Sequence, residues 1–409
     1  MSETIIGMIP QGWTYTTLAQ LCAQGEGGIQ TGPFGSQLHA SDYVTSGIPS
    51  VMPKNIGENV ILEESIARIS TEDAQRLSKY LLAEGDIVYS RRGDVERRAL
   101  VRAEQEGWLC GTGCLRVRPG NSVDPRFLSY YLGHPEVRRW VVQHAVGATM
   151  PNLNTGILGA VPTVVPPPSA QEAIADTLSA LDDKIAVNER IADISEELSQ
   201  RLVIVKSDKA PRTTIKEICT LKKQQTAPSK LSEPIANHYS LPAFDKGKFP
   251  EPTSPTSIKS NKFVITSPSV LISKLNPEIP RVWNVPKVDS TPSLASTEFL
   301  VLEPARDIST HELWAVTSQP EFTNYLAARV TGTSKSHQRV RPMEVLSTEV
   351  IDPRRLGPVR EQIAALASQS IAAINESRTL AALRDTLLPQ LMSGKLRVKD
   401  AEKIVEDNV

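Results

Sequence analysis

The sequence predicts an α+β protein in which two globular α/β domains are separated by two long antiparallel helices, as a pseudo-twofold internal repeat. Three observations predict this fold class. The chain repeats itself once, each half ends in a long amphipathic pattern with helical spacing, and the rest of each half alternates short β-type runs with turns. The length of 409 residues suits two or three domains.

The internal repeat consists of short segments of the first half that recur, in the same order, in the second half. The pairs are Thr16–Cys22 with Thr213–Cys219, Asp86–Arg91 with Ser269–Lys274, Leu115–Pro119 with Leu300–Pro304, His134–Glu136 with Gln319–Glu321, Gly147–Thr149 with Gly332–Ser334, and Glu172–Ala175 with Glu361–Ala364. The spacing between partners is nearly constant and far too long for a solenoid repeat. It indicates the tandem duplication of a whole domain followed by a helix.

Each half of the sequence ends in one helical pattern. The first carries apolar residues three or four positions apart from Ile174 to Val205, and the second does so from Ile363 to Leu391. Each stripe could pack on its own domain, but their length and homology favour an antiparallel pair that buries both. We therefore expect domains at residues 1–165 and 207–353, spacer helices at 166–206 and 354–395, and a C-terminal tail at 396–409.

Composition and charge exclude several classes of protein. The net charge of -1 argues against a protein that coats nucleic acid nonspecifically, although residues 91–139 and 207–353 are each net basic. Four cysteines in a chain of this length do not form a disulfide scaffold. No segment has the pattern of a signal peptide or a membrane span, so we expect a cytoplasmic protein with no membrane contact.

No catalytic motif stands out. A DNA methyltransferase needs a glycine-rich cofactor loop and an Asn/Asp-Pro-Pro-aromatic motif, and Pro166–Pro168 is not preceded by Asn or Asp. Asp182–Lys184 has the residue types of a nuclease metal site but lies on a predicted helix, and the six histidines are scattered. We expect no catalytic residues, no metal site and no cofactor bound by this chain.

The first domain offers a set of candidate nucleic-acid contacts in loops and after strands. The candidates are Ser36, Gln37, Lys54, Asn55, Arg91, Arg92, Arg97, Arg98, Thr149, Asn152 and Asn154. Arginine and amide side chains are the types that recognise base edges and hold phosphates. The alternatives stay open, because a glycine-rich segment also makes plain turns and an arginine cluster also makes a solvated loop.

The second domain offers a matching set. The candidates are Tyr239, Lys246, Lys248, Lys274, Thr333, Ser334, Lys335, His337 and Arg339. An aromatic residue beside lysines suits a DNA face, and a structural hairpin explains the same residues nearly as well.

Several segments together resemble the specificity subunit of type I restriction-modification systems. They are Gly32–Leu38, Gly85–Val88, Pro167–Ala175, Tyr239–Asp245 and Leu387–Lys395. The resemblance runs in order along nearly the whole chain. The second domain departs from it by lacking the Gly-Pro-Phe-Gly-Ser-Gln signature, so its recognition geometry is expected to differ.

The resemblance implies two target recognition domains, each of which reads one half of a split site in double-stranded DNA. It implies that the spacer helices dock two copies of a DNA adenine methyltransferase subunit, which would bind S-adenosylmethionine, and it admits a translocating endonuclease subunit. A helix of roughly 30–36 residues is about 45–54 Å long, which matches about 13–16 base pairs. Unequal domains predict an asymmetric site. The alternative is a non-catalytic coiled-coil scaffold without DNA readout.

Overall fold

The computed structural model describes residues 2–147, 149–207, 210–331 and 338–407. The chain divides into two compact units, which are Met1–Lys184 with Thr379–Val409, and Ile185–Arg378. Each long helix contributes to both units, so the division differs from the predicted one, in which the helices stood apart from the domains. The predicted domain limits remain a prediction.

The first unit and the first long helix contain the following elements. The strands are β1 (Ser2–Thr4), β2 (Gly7–Ile9), β3 (Thr14–Thr17), β4 (Gly28–Thr31), β5 (Tyr43–Val44), β6 (Ile48–Val51), β7 (Ala67–Ile69), β8 (Ile87–Ser90), β9 (Arg98–Leu100), β10 (Leu109–Cys110), β11 (Cys114–Arg118) and β12 (Pro162–Val165). The helices are α1 (Leu18–Gln24), α2 (Thr71–Arg76), α3 (Pro125–Leu132), α4 (Pro135–His144), α5 (Thr155–Gly159) and α6 (Pro168–Ser207).

The second unit and the end of the chain contain the remaining elements. The strands are β13 (Arg212–Thr214), β14 (Cys219–Lys222), β15 (Gln225–Thr226), β16 (Ala236–Tyr239), β17 (Glu251–Thr253), β18 (Lys262–Ile265), β19 (Ser269–Ser273), β20 (Val282–Val285), β21 (Ser293–Ala295), β22 (Phe299–Pro304) and β23 (Glu349–Ile351). The helices are α7 (Ile215–Ile218), α8 (Leu241–Asp245), α9 (Thr310–Thr317), α10 (Pro320–Ala327), α11 (Pro342–Ser347), α12 (Val359–Met392) and α13 (Val398–Glu406).

Sheet topology confirms the internal repeat. A four-stranded antiparallel sheet has the order β4-β11-β8-β9 in the first unit and β14-β22-β19-β20 in the second. In both sheets the strand that enters a basic turn, β8 or β19, is buried along its whole length. A two-stranded ladder also recurs, as β12 with β3 and as β13 with β23.

A second sheet in each unit combines antiparallel pairs with one parallel pair. Its order is β10-β6-β7-β5 in the first unit and β15-β18-β21-β16-β17 in the second. The parallel pairs are β10 with β6 and β16 with β21. The mixture of sheets and helices is the α+β class that the sequence predicts.

The long helices pack antiparallel within each unit. In the first unit, the Arg384 guanidinium of α12 lies 2.6 Å from the Asp182 carboxylate of α6. In the second unit, the Asn188 amide donates to Glu376 at 2.9 Å and the Ser370 hydroxyl donates to Glu196 at 3.3 Å. Residues farther along α6 contact residues earlier in α12. This direction is the one expected from the two stripes.

The apolar stripe of α6 is buried only in its first part, which corrects one expectation. Ile174, Leu178 and Leu181 are buried, as the sequence pattern predicts. Farther along α6, the buried residues are instead Asn188, Ala192, Ser195, Ser199 and Val203. The larger apolar residues Ile194, Leu198 and Val205 face solvent, so helical spacing alone chose the wrong face there.

Smaller differences concern the ends of elements. The segment predicted as a tail at 396–409 contains α13, whose Ala401 is fully buried. Helices α3 and α4 are separate, because Pro135 begins a new helix that is capped by His134. No helix among the described residues is long and apolar enough to cross a membrane.

Candidate nucleic-acid interface

The loop Gly32–Leu38 follows β4 and is held by one amide side chain. Gln37 Oε1 accepts hydrogen bonds from the Phe34 backbone N–H at 3.1 Å and from the Tyr80 hydroxyl at 2.9 Å. Gln37 therefore fixes the loop through its side-chain oxygen, and its assignment as a DNA contact stays a prediction. Ser36 is exposed, and the Phe34 ring is 52% exposed at the loop surface.

Arg91 joins this loop to the turn after β8. Its guanidinium carbon lies 5.5 Å from the centroid of the Phe34 ring, within the range of a cation–π contact. Arg91 Nε is buried and has no hydrogen-bond partner among the described residues. The neighbouring Arg92 is exposed. Neither guanidinium has a carboxylate partner in the part of the chain that the structure describes.

A short hairpin brings Thr149 and Asn152 to the same turn. The backbone of Val146 and Asn152 exchanges hydrogen bonds of 2.9 and 3.0 Å, and Leu153 N–H donates to the Arg91 carbonyl at 2.9 Å. Thr149 is exposed at the hairpin tip. The loop, the basic turn and the hairpin therefore form one surface, which we call the first basic surface: Phe34, Ser36, Arg91, Arg92, Thr149 and Asn152.

Asn154 lies beside this surface and caps a helix. Its side-chain oxygen accepts from Ile157 N–H at 2.8 Å and caps α5. Helix capping by Asn satisfies one of the free amides of the first turn. The cap accounts for Asn154 without a DNA contact.

Arg97 and Arg98 separate in the structure. Arg97 is exposed and pairs with Asp94 at 3.0 Å. Arg98 is 3% exposed, donates from Nε to the Ser129 carbonyl at 2.5 Å and lies 3.5 Å from Glu58. Arg98 supports α3 from inside the unit and cannot reach DNA, so its assignment as a contact is wrong.

Lys54 lies at the surface, whereas Asn55 lies in the interior. Lys54 is exposed and donates to the Ser65 carbonyl at 2.9 Å. Asn55 is 1% exposed, accepts from Met52 N–H at 3.2 Å and donates to the Leu62 carbonyl at 3.0 Å. The sequence-based assignment of Asn55 is corrected to a loop-holding role.

The Tyr239–Lys248 segment in the second unit is mostly structural. Tyr239 is 6% exposed and packs edge-on against Trp283, with ring centroids 4.9 Å apart. Lys248 forms a salt bridge with Glu196 of α6. Packing accounts for Tyr239 and a salt bridge accounts for Lys248 without a DNA contact, and the sequence-based assignment of both stays a prediction. Lys246 is exposed, with its ammonium 3.6 Å from Glu251.

Lys274 and Arg339 meet in the second unit around one carboxylate. Both guanidinium nitrogens of Arg339, Nε and Nη2, bind Glu298 at 3.0 and 2.9 Å. Burial lowers the pKa of Lys274, and the charge of Glu298 partly opposes this shift. Lys274 and Arg339 form the second basic surface, and Lys246 stays a separate predicted contact. The predicted contacts Thr333, Ser334, Lys335 and His337 lie outside the described residues.

The two basic surfaces share one backbone pattern. Arg91 N–H donates to the Gly113 carbonyl at 2.8 Å, and Lys274 N–H donates to the Glu298 carbonyl at 2.8 Å. The Leu153 amide donates to the Arg91 carbonyl, and the Val340 amide donates to the Lys274 carbonyl at 3.0 Å.

The serine that ends each central strand repeats as well. Ser90 Oγ donates to the Arg92 carbonyl at 2.9 Å, and Ser273 Oγ donates to the Leu275 carbonyl at 3.0 Å. In each unit, a cation (Arg91 or Lys274) thus follows the buried central strand (β8 or β19).

Sequence reasoning missed the exposed apolar residues of the Gly32–Leu38 loop and of the hairpin that carries Thr149 and Asn152. Phe34, Val146 and Met150 are each more than half exposed. An aromatic residue between glycines in a loop was the available signal for Phe34. No group of three or more His, Cys, Asp or Glu side chains among the described residues could hold a metal ion.

Comparison with known protein families finds a match in the first half of the chain. The family described as the type I restriction modification DNA specificity domain matches residues 11–196, which include the first basic surface and the first part of α6. The similarity therefore concerns the first recognition domain and the first part of the helix that follows it.

Two curated relatives match part of the chain. The MjaIX specificity subunit of Methanocaldococcus jannaschii is 22% identical over 202 residues, which cover 49% of this chain and 45% of the relative. The HindI specificity subunit of Haemophilus influenzae is 26% identical over 161 residues, which cover 38% of this chain and 35% of the relative. The chain thus matches less than half the length of each relative.

A solved structure matches the fold more widely. A crystal structure of the type I restriction-modification system S subunit from M. genitalium aligns with a TM-score of 0.57 and 15% identity. The alignment covers 94% of this chain and 96% of that chain. It shows that the chain follows a known fold over nearly its whole length.

Proposed function

We propose that this chain is the non-catalytic DNA-recognition subunit of a type I restriction-modification complex, in which each module reads one half of a two-part DNA site. The observation that carries the proposal is the repeated presentation of a cation after a buried central strand. Arg91 and Lys274 occupy the equivalent positions.

The chemistry of the first basic surface supports direct contact with DNA. Arg91 and Arg92 have no carboxylate partner in the described residues, so both guanidinium groups are available for phosphates or guanine edges. Thr149 and Asn152 add neutral donors and acceptors at the same place. An exposed phenyl ring such as Phe34 can contact a thymine methyl group or a sugar.

The second basic surface supports an asymmetric site. Arg339 is already paired with Glu298. The segment after β14 carries Lys223, Gln224 and Gln225, all exposed, in place of the glycine-phenylalanine loop. Two modules with different side chains at equivalent places are expected to read different half-sites.

The long helices supply the remaining part of the proposal. We infer that they fix the gap between half-sites and dock two copies of a methyltransferase subunit, which would bind S-adenosylmethionine and methylate adenine. A translocating endonuclease subunit is a further partner of the same complex. Helix α6 has 40 residues, which corresponds to about 60 Å at 1.5 Å per residue.

Binding and methyl-transfer assays with purified components test this proposal. We expect the chain alone to transfer no methyl groups and to bind duplex DNA weakly. Together with its methyltransferase subunit, the chain should bind one DNA sequence far more tightly than others. A scaffold without DNA readout would instead form the protein complex while leaving sequence preference unchanged. That result would reject the proposal.

A further inference from the structure

A segment of backbone runs beside the turn after the central strand in both units. In the first unit, Leu153 N–H donates to the Arg91 carbonyl at 2.9 Å. In the second unit, Val340 N–H donates to the Lys274 carbonyl at 3.0 Å. These two bonds align the segment around Leu153 with the segment around Val340, residue by residue.

The residue before each of these donors closes a short hairpin. Asn152 exchanges backbone hydrogen bonds of 2.9 and 3.0 Å with Val146. Arg339 exchanges backbone hydrogen bonds of 2.8 and 3.0 Å with Thr331. Arg339 is therefore the counterpart of Asn152 in the repeat.

A third equivalent position precedes the strand that pairs with the central strand. The Gly113 carbonyl accepts from Arg91 N–H, and the Glu298 carbonyl accepts from Lys274 N–H. Glu298 thus stands where the first unit has a residue without a side chain. The three equivalent residues are Arg91, Gly113 and Asn152 in the first unit, and Lys274, Glu298 and Arg339 in the second.

Glu298 binds one edge of the Arg339 guanidinium. Nε and Nη2 of Arg339 lie 3.0 and 2.9 Å from the two carboxylate oxygens. Because a guanidinium is planar, two parallel hydrogen bonds fix the orientation of its plane. Within the part of the chain that the structure describes, Nη1 makes no hydrogen bond, and the Arg339 side chain is 44% exposed. The edge formed by Nη1 and Nη2 therefore keeps donors for a ligand.

The charges of Glu298 and Arg339 cancel, and this balance favours one kind of ligand. Hydrogen bonding by Arg339 lowers the pKa of the Glu298 carboxyl, which is therefore ionised at neutral pH. A carboxylate beside the guanidinium repels a phosphate group. A guanine edge instead presents two neutral acceptors, O6 and N7, which match two parallel guanidinium donors. The pair suits guanine better than the DNA backbone.

We propose that Arg339 recognises one guanine in the second half-site, and that Glu298 is a positioning residue that holds the guanidinium plane for this contact. The inference rests on the proposed function, in which the second module reads one half of the DNA site. Asn152 and Gly113 supply an amide and no carboxylate at the equivalent positions, so the first module should not share this contact.

Competition binding by the full chain with its methyltransferase subunit tests the inference, with duplexes that carry each base pair in turn at every position of the second half-site. One position should show a guanine preferred by roughly five- to hundredfold over other bases. Arg339→Lys should abolish most of this preference, because an ammonium keeps the charge and lacks the planar pair of donors.

Glu298→Gln separates positioning from a merely structural role. It should reduce the guanine preference by at least about fivefold. Binding to unrelated duplex DNA should not weaken, because the substitution removes a negative charge near the phosphates. A structural role would instead weaken binding to all duplexes and lower the melting temperature, which would overturn the positioning role.

Glu321→Gln is the matched control for this substitution. Glu321 accepts from both terminal nitrogens of Arg212, at 2.9 and 3.3 Å, outside the second basic surface. The control should leave the guanine preference unchanged. Thermal melting of each variant reports folding.

The remaining outcomes separate the inference from the proposed function. A second half-site without a G·C base pair, or full preference in Arg339→Lys, would overturn the guanine assignment. Equal weakening on all duplexes in Arg339→Ala would indicate a phosphate contact and would overturn it as well. A wild-type complex without any sequence preference would instead reject the proposed function.

Discussion

The guanidinium carbon of Arg91 lies 5.5 Å from the centre of the Phe34 ring and thereby joins two loops that are far apart in sequence. The Phe34 amide is fixed by Gln37, and the Arg91 backbone is fixed by Gly113 and Leu153. The first basic surface is therefore held from both sides before any ligand arrives. A preformed surface loses less conformational entropy on binding.

Replacing Arg91 tests the first basic surface directly. Arg91→Ala should cost about 1–3 kcal/mol of affinity for the cognate duplex in the assembled complex and should relax the base preference in one half-site. Competition binding with duplexes that vary one base pair at a time measures this. Arg97→Ala is the matched control, because Arg97 is paired with Asp94. Loss of preference in both half-sites would contradict the assignment.

Replacing Lys274 tests the second basic surface. Lys274→Ala should weaken binding and alter preference only in the half-site that Arg91→Ala leaves unchanged, because the two cations belong to different modules. The same competition assay applies, with Lys222→Ala as the control, because Lys222 is paired with Glu303 at 3.0 Å. If both substitutions affect the same half-site, the modules do not read separate halves.

Arg98 should matter for stability and not for recognition. Arg98→Met leaves the buried Ser129 carbonyl without its charged donor, which should lower the free energy of unfolding by about 2–3 kcal/mol. Calorimetric melting measures the effect, and Arg97→Met should change it little. An unchanged melting temperature with a lost sequence preference would restore Arg98 as a DNA contact.

His134 should make the first unit less stable in acid. Burial lowers the pKa of His134 to about 4 from an ordinary value of 6.5. The unfolded chain therefore binds more protons than the folded chain between about pH 6.5 and 4, and stability falls as the pH falls through that range. Its ring caps α4 by accepting from Glu136 N–H at 3.1 Å.

His134→Asn supplies the control for this effect, because Asn can cap α4 without titrating in that range. The difference in melting temperature between the two proteins should change between pH 7 and 5, in favour of the variant at lower pH. Parallel melting curves would show that His134 does not carry the acid sensitivity.

The proposed spacing role predicts the effect of longer helices. Inserting one helical turn into α6, with a matching turn in α12, adds about 5.4 Å and should widen the gap between half-sites by about 1–2 base pairs. The half-sites themselves should stay the same. Altered half-sites with an unchanged gap would contradict the spacing role.

The repeat and the long helices could be predicted because periodic patterns and paired segments survive in the sequence. Such patterns could not show which residues of the candidate interface are exposed and which are buried. Asn55, Arg98 and Tyr239 have the residue types of DNA contacts, but tertiary packing buries all three. Residue type gives no information on which side of a loop faces solvent.

Helix α6 illustrates the same limit within a regular element. A period of 3.6 residues identified the helix but placed Ile194 and Leu198 on the packed face. The structure buries Ser195 and Ser199 there instead. Small residues allow close approach of the packed partner, and hydrophobicity patterns do not register that preference.

Methylome sequencing of a host that expresses this chain with the methyltransferase subunit encoded beside it tests the central claim most directly. We expect methylated adenines in one asymmetric motif made of two half-sites and a fixed gap, with Arg91→Ala degrading one half and Lys274→Ala the other. A continuous or palindromic motif, or methylation that does not depend on this chain, would contradict the account.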